Sequence, residues 1–281
     1  MKFFYLKIYQ LLIYITVAVS LFSCMKQSSN NSTPRYIVLS PEIAEVLVAI
    51  GVSQEIVGIT EECKTSADAQ IVGSFGQVNL EKIAQLRPSI VFTSALEQDI
   101  ITEKLNKLQI KTVQFYPKNT SDLLSMIEEL GEVCGKQAEA TALINSLQQA
   151  FAEFQTIAEN RQNNPKVFIE IYGNPIMTAD NSAYLGDLLT LAGGINIFPA
   201  LARDYCRVNA EDVVFQNPDI ILLTYPGVTT EDIKQRKGWA EVNAVQHSRI
   251  YTIDELDPDL ILRAGPRNIE GIAKMVALFY E

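Results

Sequence analysis

The sequence predicts an α/β protein of two Rossmann-like lobes with mainly parallel sheets, joined by one long backbone helix, with a ligand cleft between the lobes. Three observations carry this. Asn79, Glu81, Pro88 and Ile90 return as Asn209, Glu211, Pro218 and Ile220, all at one offset of 130 residues. Each copy reads as a helix cap, an acid in the first turn, an apolar face, then Pro and a buried strand. On either side of a central stretch, apolar runs of strand length alternate with helical patterns. The stretch itself, 137–161, contains neither Gly nor Pro. A βα module repeated once at that distance makes two similar lobes rather than a solenoid.

The chain begins outside this fold. Lys2 and Lys7 precede an uncharged apolar run over 11–22, which is followed by Ser23 and Cys24. A basic start, a short apolar core and a small residue follow the order of a secretory signal, and the run falls short of the ~20 residues of a membrane span. Residues 1–23 are therefore assigned to a signal peptide. Residues 24–35 run through Lys26, Ser28, Asn30 and Pro34 with no apolar period, and read as a flexible tether.

The first lobe is assigned to 36–136. Strand-like runs lie at 36–39, 56–59, 90–93 and 111–115, and Ser40 with Pro41 opens the first helix as N-cap and first helical residue. The linking helix, 137–161, keeps Leu143, Leu147, Ala150, Phe151, Phe154, Ile157 and Ala158 at helical spacing. About 25 residues at 1.5 Å rise make a rod of ~37 Å. Such a rod has no loop to absorb large φ/ψ changes, so closure is limited to a small rocking motion. The second lobe, 162–281, repeats the alternation with strands at 166–172, 220–223 and 250–253, and Gly193-Gly194 ends one of its helices.

Composition excludes some functions. Of the 281 residues, 48% are hydrophobic, enough for sizeable cores. Removing 1–23 takes two of the 23 basic residues and none of the 33 acidic ones, so the net charge moves from −10 to −12. A surface this acidic repels nucleic acid. After Cys24 three cysteines remain, Cys63, Cys134 and Cys206, which allow at most one disulfide among them. Cys134 sits in an apolar helical stretch and reads as a core residue.

Enzyme chemistry finds little support. His247 is the single histidine, so a His-built metal centre is impossible, and a Ser–His–Asp site would hang on this residue alone. Gly73-Ser74-Phe75-Gly76 lacks the Gly two residues before Ser that a nucleophile elbow needs. Gly131 to Lys136 is one residue short of a phosphate loop, lacks its Ser/Thr, and falls between helices. A hydrolase or other enzyme on the same two-lobe scaffold is the alternative, and activity lost on His247→Ala would support it.

Read together, Leu39-Ser40-Pro41, Gly73 with Asn79-Leu80-Glu81, Arg87-Pro88, Ala192-Gly193-Gly194-Ile195-Asn196, Asn217-Pro218-Asp219, the stretch from Trp239 to Ile253, and Arg263-Ala264-Gly265-Pro266-Arg267 form an ordered set. In order and spacing it resembles the class III periplasmic substrate-binding proteins that serve ABC importers of cobalamin, ferric siderophores and haem. The resemblance covers essentially the whole mature chain. It implies a monomeric, extracytoplasmic binding protein with no cofactor, which captures a metal chelate in the interlobe cleft and hands it to a permease dimer. Leu21-Phe22-Ser23-Cys24 resembles a lipobox, which implies a lipid on Cys24 and anchoring to the membrane. Phe22 departs from the smaller residue usual there.

The resemblance also implies roles for single residues. Glu81 and Glu211 match the acids that dock onto permease arginines; on physics alone each would be a first-turn acid favouring the helix dipole. Candidate ligand contacts lie on loops after strands: Phe75, Gln77, Tyr172, Tyr205, Arg207 and Arg263. Arg203 adds charge to the same rim. Aromatic faces suit a large flat ligand, and Arg offers planar donors to its oxygens. Core packing is the other reading for Phe75 and Tyr172. Tyr205 falls where cobalamin-binding relatives place Trp, and Glu62 where they place Tyr, which favours ferric siderophore or haem over cobalamin. Cys63 and Cys206 map to the cleft side and are expected as free thiols or as a ligand contact, and Arg267 is expected to cap the last helix or hold the lobe interface.

Overall fold

The computed structural model describes residues 33–65 and 68–280. The signal peptide, Cys24 and most of the tether lie outside the described residues.

In the first lobe, β1 (Tyr36–Val38) leads into α1 (Pro41–Ala49), and β2 (Ile56–Thr60), β3 (Gln70–Ser74) and β4 (Gln77–Val78) precede α2 (Leu80–Gln85). β5 (Ile90–Ser94), α3 (Asp99–Lys107), β6 (Thr112–Phe115) and α4 (Thr120–Cys134) complete it. The six strands form one sheet in the order β4-β3-β2-β1-β5-β6, parallel except for β4. β1 and β5 are buried along their whole length, as central strands covered on both faces must be.

One chain reversal follows ordinary helix-cap chemistry. Gly135 takes φ 68° after α4, where its N–H bonds the Glu132 carbonyl and the Lys136 N–H bonds that of Gly131. This left-handed cap lets the next helix double back, and it accounts for the Gly131–Lys136 stretch without any phosphate. Ser40 departs from expectation. Pro41 does open α1, but the Ser40 hydroxyl makes no capping bond and only its carbonyl accepts, from the Ala44 N–H at 3.1 Å.

α5 (Gln137–Glu159) links the lobes and is two residues shorter than expected, about 34 Å at 1.5 Å per residue. It stops where Asn160 begins a polar stretch with no further apolar face to bury. α5 packs against α4 on one side and second-lobe helices on the other.

The second lobe has β7 (Lys166–Glu170), β8 (Tyr172–Gly173), β9 (Ile176–Ala179), α6 (Tyr184–Leu191), β10 (Ile195–Asn196), β11 (Tyr205–Arg207) and α7 (Ala210–Gln216). There follow β12 (Ile220–Leu223), α8 (Thr230–Lys234), α9 (Asn243–Gln246), β13 (Ile250–Tyr251), α10 (Asp259–Leu262) and α11 (Asn268–Tyr280). β10-β7-β12-β13 is a parallel sheet, and β11-β9-β8 is a small antiparallel one that the strand patterns did not anticipate. The expected strand over 166–172 is in fact two, broken at Ile171, and the last expected strand ends at Tyr251. Gly193 at φ 78° ends α6 as expected.

Each lobe has a buried cluster of its own, around Ile83, Val91 and Leu105 in the first and Phe168, Trp239 and Ile250 in the second, and the two lobes also share a third. That shared cluster of buried apolar residues runs from Ile43, Leu47 and Phe92 of the first lobe, through Leu130, Leu147 and Phe151, to Leu188, Ile261 and Met275 of the second. A shared core joins the lobes over their common flank and favours limited relative motion over free hinging.

Candidate functional site

Away from that flank, the loops leaving the carboxyl ends of the strands stand opposite each other and enclose a cavity of about 570 Å³. The first lobe contributes Glu42 after β1, Glu62 after β2, Phe75 after β3 and Tyr116 after β6. The second contributes Ile171 after β7, Tyr205 on β11 and Arg263 after α10. Crevices beyond strand carboxyl ends are where parallel α/β sheets hold ligands, and the volume lies within the ~300–1,000 Å³ of small-molecule sites.

Of the expected contacts, Phe75, Tyr205 and Arg263 line this cavity. Gln77, Tyr172 and Arg207 do not. Gln77 sits exposed on the edge strand β4. Tyr172 starts the small antiparallel sheet, is half exposed, and leans on Tyr225 with ring centroids 6.0 Å apart. Arg207 ends β11 on the solvent side, and Arg203 is exposed away from the wall. The expected basic rim is thus replaced by an acidic one: Glu42, Glu62, Glu97 and Asp204 face the cavity. Sequence reasoning missed these acids because a first-turn or loop carboxylate looks the same whether it faces solvent or a cleft. Glu62 was the one flagged by position.

Several side chains are held in place by named partners. Glu62 accepts the Phe75 N–H at 2.8 Å, so the carboxylate fixes the loop that carries the aromatic ring. The Tyr116 hydroxyl donates to Asp204 Oδ2 at 2.9 Å across the lobes. Burial and the adjacent Asp204 carboxylate push the Tyr116 phenol well up. Burial, Asp204 and Glu97 push Tyr205 up to about 12. Both remain neutral hydrogen-bonding phenols at ordinary pH.

The buried Asn268 ties cavity wall to scaffold. Its Oδ1 accepts from Tyr184 Oη at 2.8 Å and from the Gly265 N–H at 2.7 Å, while Nδ2 donates to the carbonyls of Leu260 and Arg263, each at 2.8 Å. All four amide positions are used. Tyr184 and Arg263 both line the cavity, so one buried amide sets the position of two wall residues. No pattern in the sequence marks an Asn at a helix start as this kind of organiser.

The cysteines stand apart from the cavity. Cys63, Cys134 and Cys206 are free thiols, and none lines the wall. Cys63 is buried beside Thr60, with Sγ 3.2 Å from the hydroxyl oxygen, which is why its expected cleft position is not met. Cys134 is partly buried against the core, and burial raises it to about 11.

Glu81 and Glu211 are exposed in the first turns of α2 and α7, matching positions of the two lobes. Their surroundings differ. Asn79 caps α2 by accepting the Lys82 N–H at 2.9 Å, and Gln85 donates to Glu81 at 3.3 Å. In the second copy Asn209 makes no such cap, and the position of Gln85 is taken by Phe215, 85% exposed. His247 is exposed after α9, where Nδ1 lies 2.9 Å from the Asn243 carbonyl oxygen, and among the described residues no hydroxyl or carboxylate is hydrogen-bonded to its ring.

The family model described as periplasmic binding protein matches residues 37–256. The uncharacterized ABC transporter substrate-binding lipoprotein YvrC of Bacillus subtilis is 29% identical over 257 residues, 88% of this chain and 80% of that protein. The high-affinity heme uptake system protein IsdE of Staphylococcus aureus is 26% identical over 88% of this chain and 89% of its own. The crystal structure of S. aureus IsdE complexed with heme superposes with a TM-score of 0.78 over 88% of this chain and 99% of that one, at 22% identity. The vitamin B12 binding protein BtuF of Vibrio cholerae gives 0.74 over 87% and 96%, at 21% identity. At those identities the superpositions establish the two-lobe fold.

Proposed function

The chain belongs to the periplasmic binding protein family, and from that premise we propose that it is an extracytoplasmic solute-binding lipoprotein of an ABC importer. It captures a metal chelate, of the ferric siderophore, haem or cobalamin kind, between its lobes and passes it to the membrane permease. It binds its solute and does not transform it. The observation that carries the proposal is the cavity walled by strand-end loops of both lobes, with aromatic and apolar surface and a few polar groups held by partners. The names of YvrC and IsdE support the importer role, and those of IsdE and BtuF support haem and vitamin B12 as kinds of solute.

In this proposal the lobes are 36–136 and 162–281, joined by 137–161. Lipid on Cys24 holds the protein at the membrane, where more than one acyl chain gives stable anchoring. Glu81 and Glu211 meet arginines on the two permease subunits, one from each lobe. The shared apolar core restricts the lobes to a small rocking motion, and docking through the two acids pries the cleft open.

The test is a thermal-shift panel of ferric siderophores, haem and cobalamins. A ligand at 100 times its dissociation constant adds ~2.7 kcal/mol to stability, so a true solute gives a clear upward shift. A flat response across the panel, or consumption of a ligand by the protein, would contradict the proposal.

A further inference from the structure

The acidity of the cleft says something about the solute. Glu42, Glu62, Glu97 and Asp204 face it against two cations, Arg263 and Lys118. Arg263 is already engaged, since Nη1 binds Asp259 Oδ2 at 2.9 Å. Lys118 is exposed at the mouth, its ammonium 5.7 Å from the Tyr116 ring centre. An anionic ligand would therefore bring its charge toward several carboxylates, with one exposed cation among the described wall residues to answer it. Excluding water from the cleft strengthens that repulsion.

The carboxylates retain capacity to receive donors. Glu62 accepts one backbone N–H, and Asp204 accepts the Tyr116 phenol and the Tyr205 N–H, while a carboxylate has about four acceptor sites. Among the described residues, no three His, Cys, Asp or Glu side chains of the wall gather closely enough to hold a metal ion. None of the wall residues is His, Met or Cys, and Tyr116 and Tyr205 are held as neutral phenols. Such a wall hydrogen-bonds the rim of a ligand and leaves its metal alone.

We infer that the cleft selects metal chelates that are neutral or positively charged, present amide, ammonium or hydroxyl donors on their periphery, and arrive with the metal fully coordinated, and that it disfavours chelates bearing carboxylates. This rests on the reading of the cleft as a chelate site. Among the solutes proposed above, haem, with its two carboxylates, is then the poorest fit. The arginines expected to greet anionic ligands do not play that part.

Two matched series test the inference on the full chain in detergent, with dissociation constants measured at low salt, where screening is weak. One is a ferric trihydroxamate with a free ammonium, its N-acetylated neutral form and its N-succinylated anionic form. The other is a cobalt corrinoid with intact peripheral amides, its monocarboxylate and its dicarboxylate. We expect each added negative charge to weaken binding about tenfold, equivalent to ~1.4 kcal/mol. The double substitution Glu62→Gln with Glu97→Gln should narrow the gap between neutral and anionic forms at least threefold. If the anionic form of the series that binds does so as tightly as the neutral one, the charge rule is overturned while the chelate site stands. If no member of either series binds, the chelate reading itself fails and the charge rule falls with it.

Discussion

The guanidinium of Arg267 holds the carboxylate of Glu45 through two nitrogens, Nη2 to Oε1 at 2.5 Å and Nε to Oε2 at 3.2 Å. The bond runs from the segment before the last helix of the second lobe to the first helix of the first. Four residues upstream Arg263 faces the cleft, so one short loop serves both the lobe junction and the cavity wall. Thr120 adds a second tie, its N–H donating to Asp187 Oδ2 at 2.7 Å.

Glu45 is largely buried and Arg267 about a third exposed, which tempers the worth of the pair. A double-mutant cycle with Glu45→Ala and Arg267→Ala should return a coupling of about 1 kcal/mol. Denaturant melts of the four variants check it. A coupling near zero would mean that the shared apolar core and the remaining ties, Thr120–Asp187 and Tyr116–Asp204, hold the lobes in register.

A deeper pair lies in the second lobe. Glu170 is fully buried and bonded to Arg236 through both carboxylate oxygens, with Tyr225 donating to it as well, and Arg236 lies 4.7 Å from the Trp239 ring centre. Arg236→Met leaves a buried carboxylate without its counter-charge and should cost roughly 3–5 kcal/mol. Chemical denaturation measures this, and a loss under 1 kcal/mol would show that the buried charge finds another partner.

Asn268→Ala removes four buried hydrogen bonds at once and strands donors and acceptors that water does not reach. We expect a loss of roughly 2–4 kcal/mol in stability. Because Tyr184 and Arg263 lose their anchor, ligand affinity should fall even where the variant remains folded. Calorimetric titration of the folded variant reads the second effect separately from the first.

The Glu42 carboxyl is pushed above its ordinary value of 4.5, chiefly by burial, with Glu97 adding to the push and Arg263 opposing it. A raised value in the folded state means that the favourable contribution is complete below the unfolded value and lost as pH rises through the folded one. Glu42→Gln, which carries no charge to bury, should therefore raise the melting temperature at pH 7.5 and do little at pH 4. An equal effect at both values would locate the cause in packing instead of ionisation.

Charge reversal of Glu81 and Glu211 together should abolish uptake in cells while leaving solute affinity of the isolated protein unchanged. Phe215, one helical turn beyond Glu211 and almost fully exposed, extends the same face, and Phe215→Ser should reduce uptake in part. Affinity lost along with uptake would remove the division between docking face and cleft.

Much of the scaffold was readable in the chain because its central strands are continuous apolar runs, such as Ile220–Leu223, and its reversals carry Gly193 and Gly135. The small antiparallel sheet was not readable, since its strands are two to four residues long and show no period. In the cleft, Phe75, Tyr205 and Arg263 were found by their place after strands. Gln77, Tyr172 and Arg207 shared that place, but local pairing turned them outward. Whether a loop side chain faces the opposite lobe depends on how the lobes are set, and no single segment encodes that. The carboxylates Glu42, Glu97 and Asp204 escaped for the same reason.

Affinity for the tightest chelate of the panel, measured for the parent protein and for Phe75→Ala with Tyr205→Ala, tests most directly whether the interlobe cleft is where the solute sits. We expect a loss of at least tenfold, ~1.4 kcal/mol, with the melting temperature of the ligand-free protein little changed. An unchanged dissociation constant in a folded variant would contradict it.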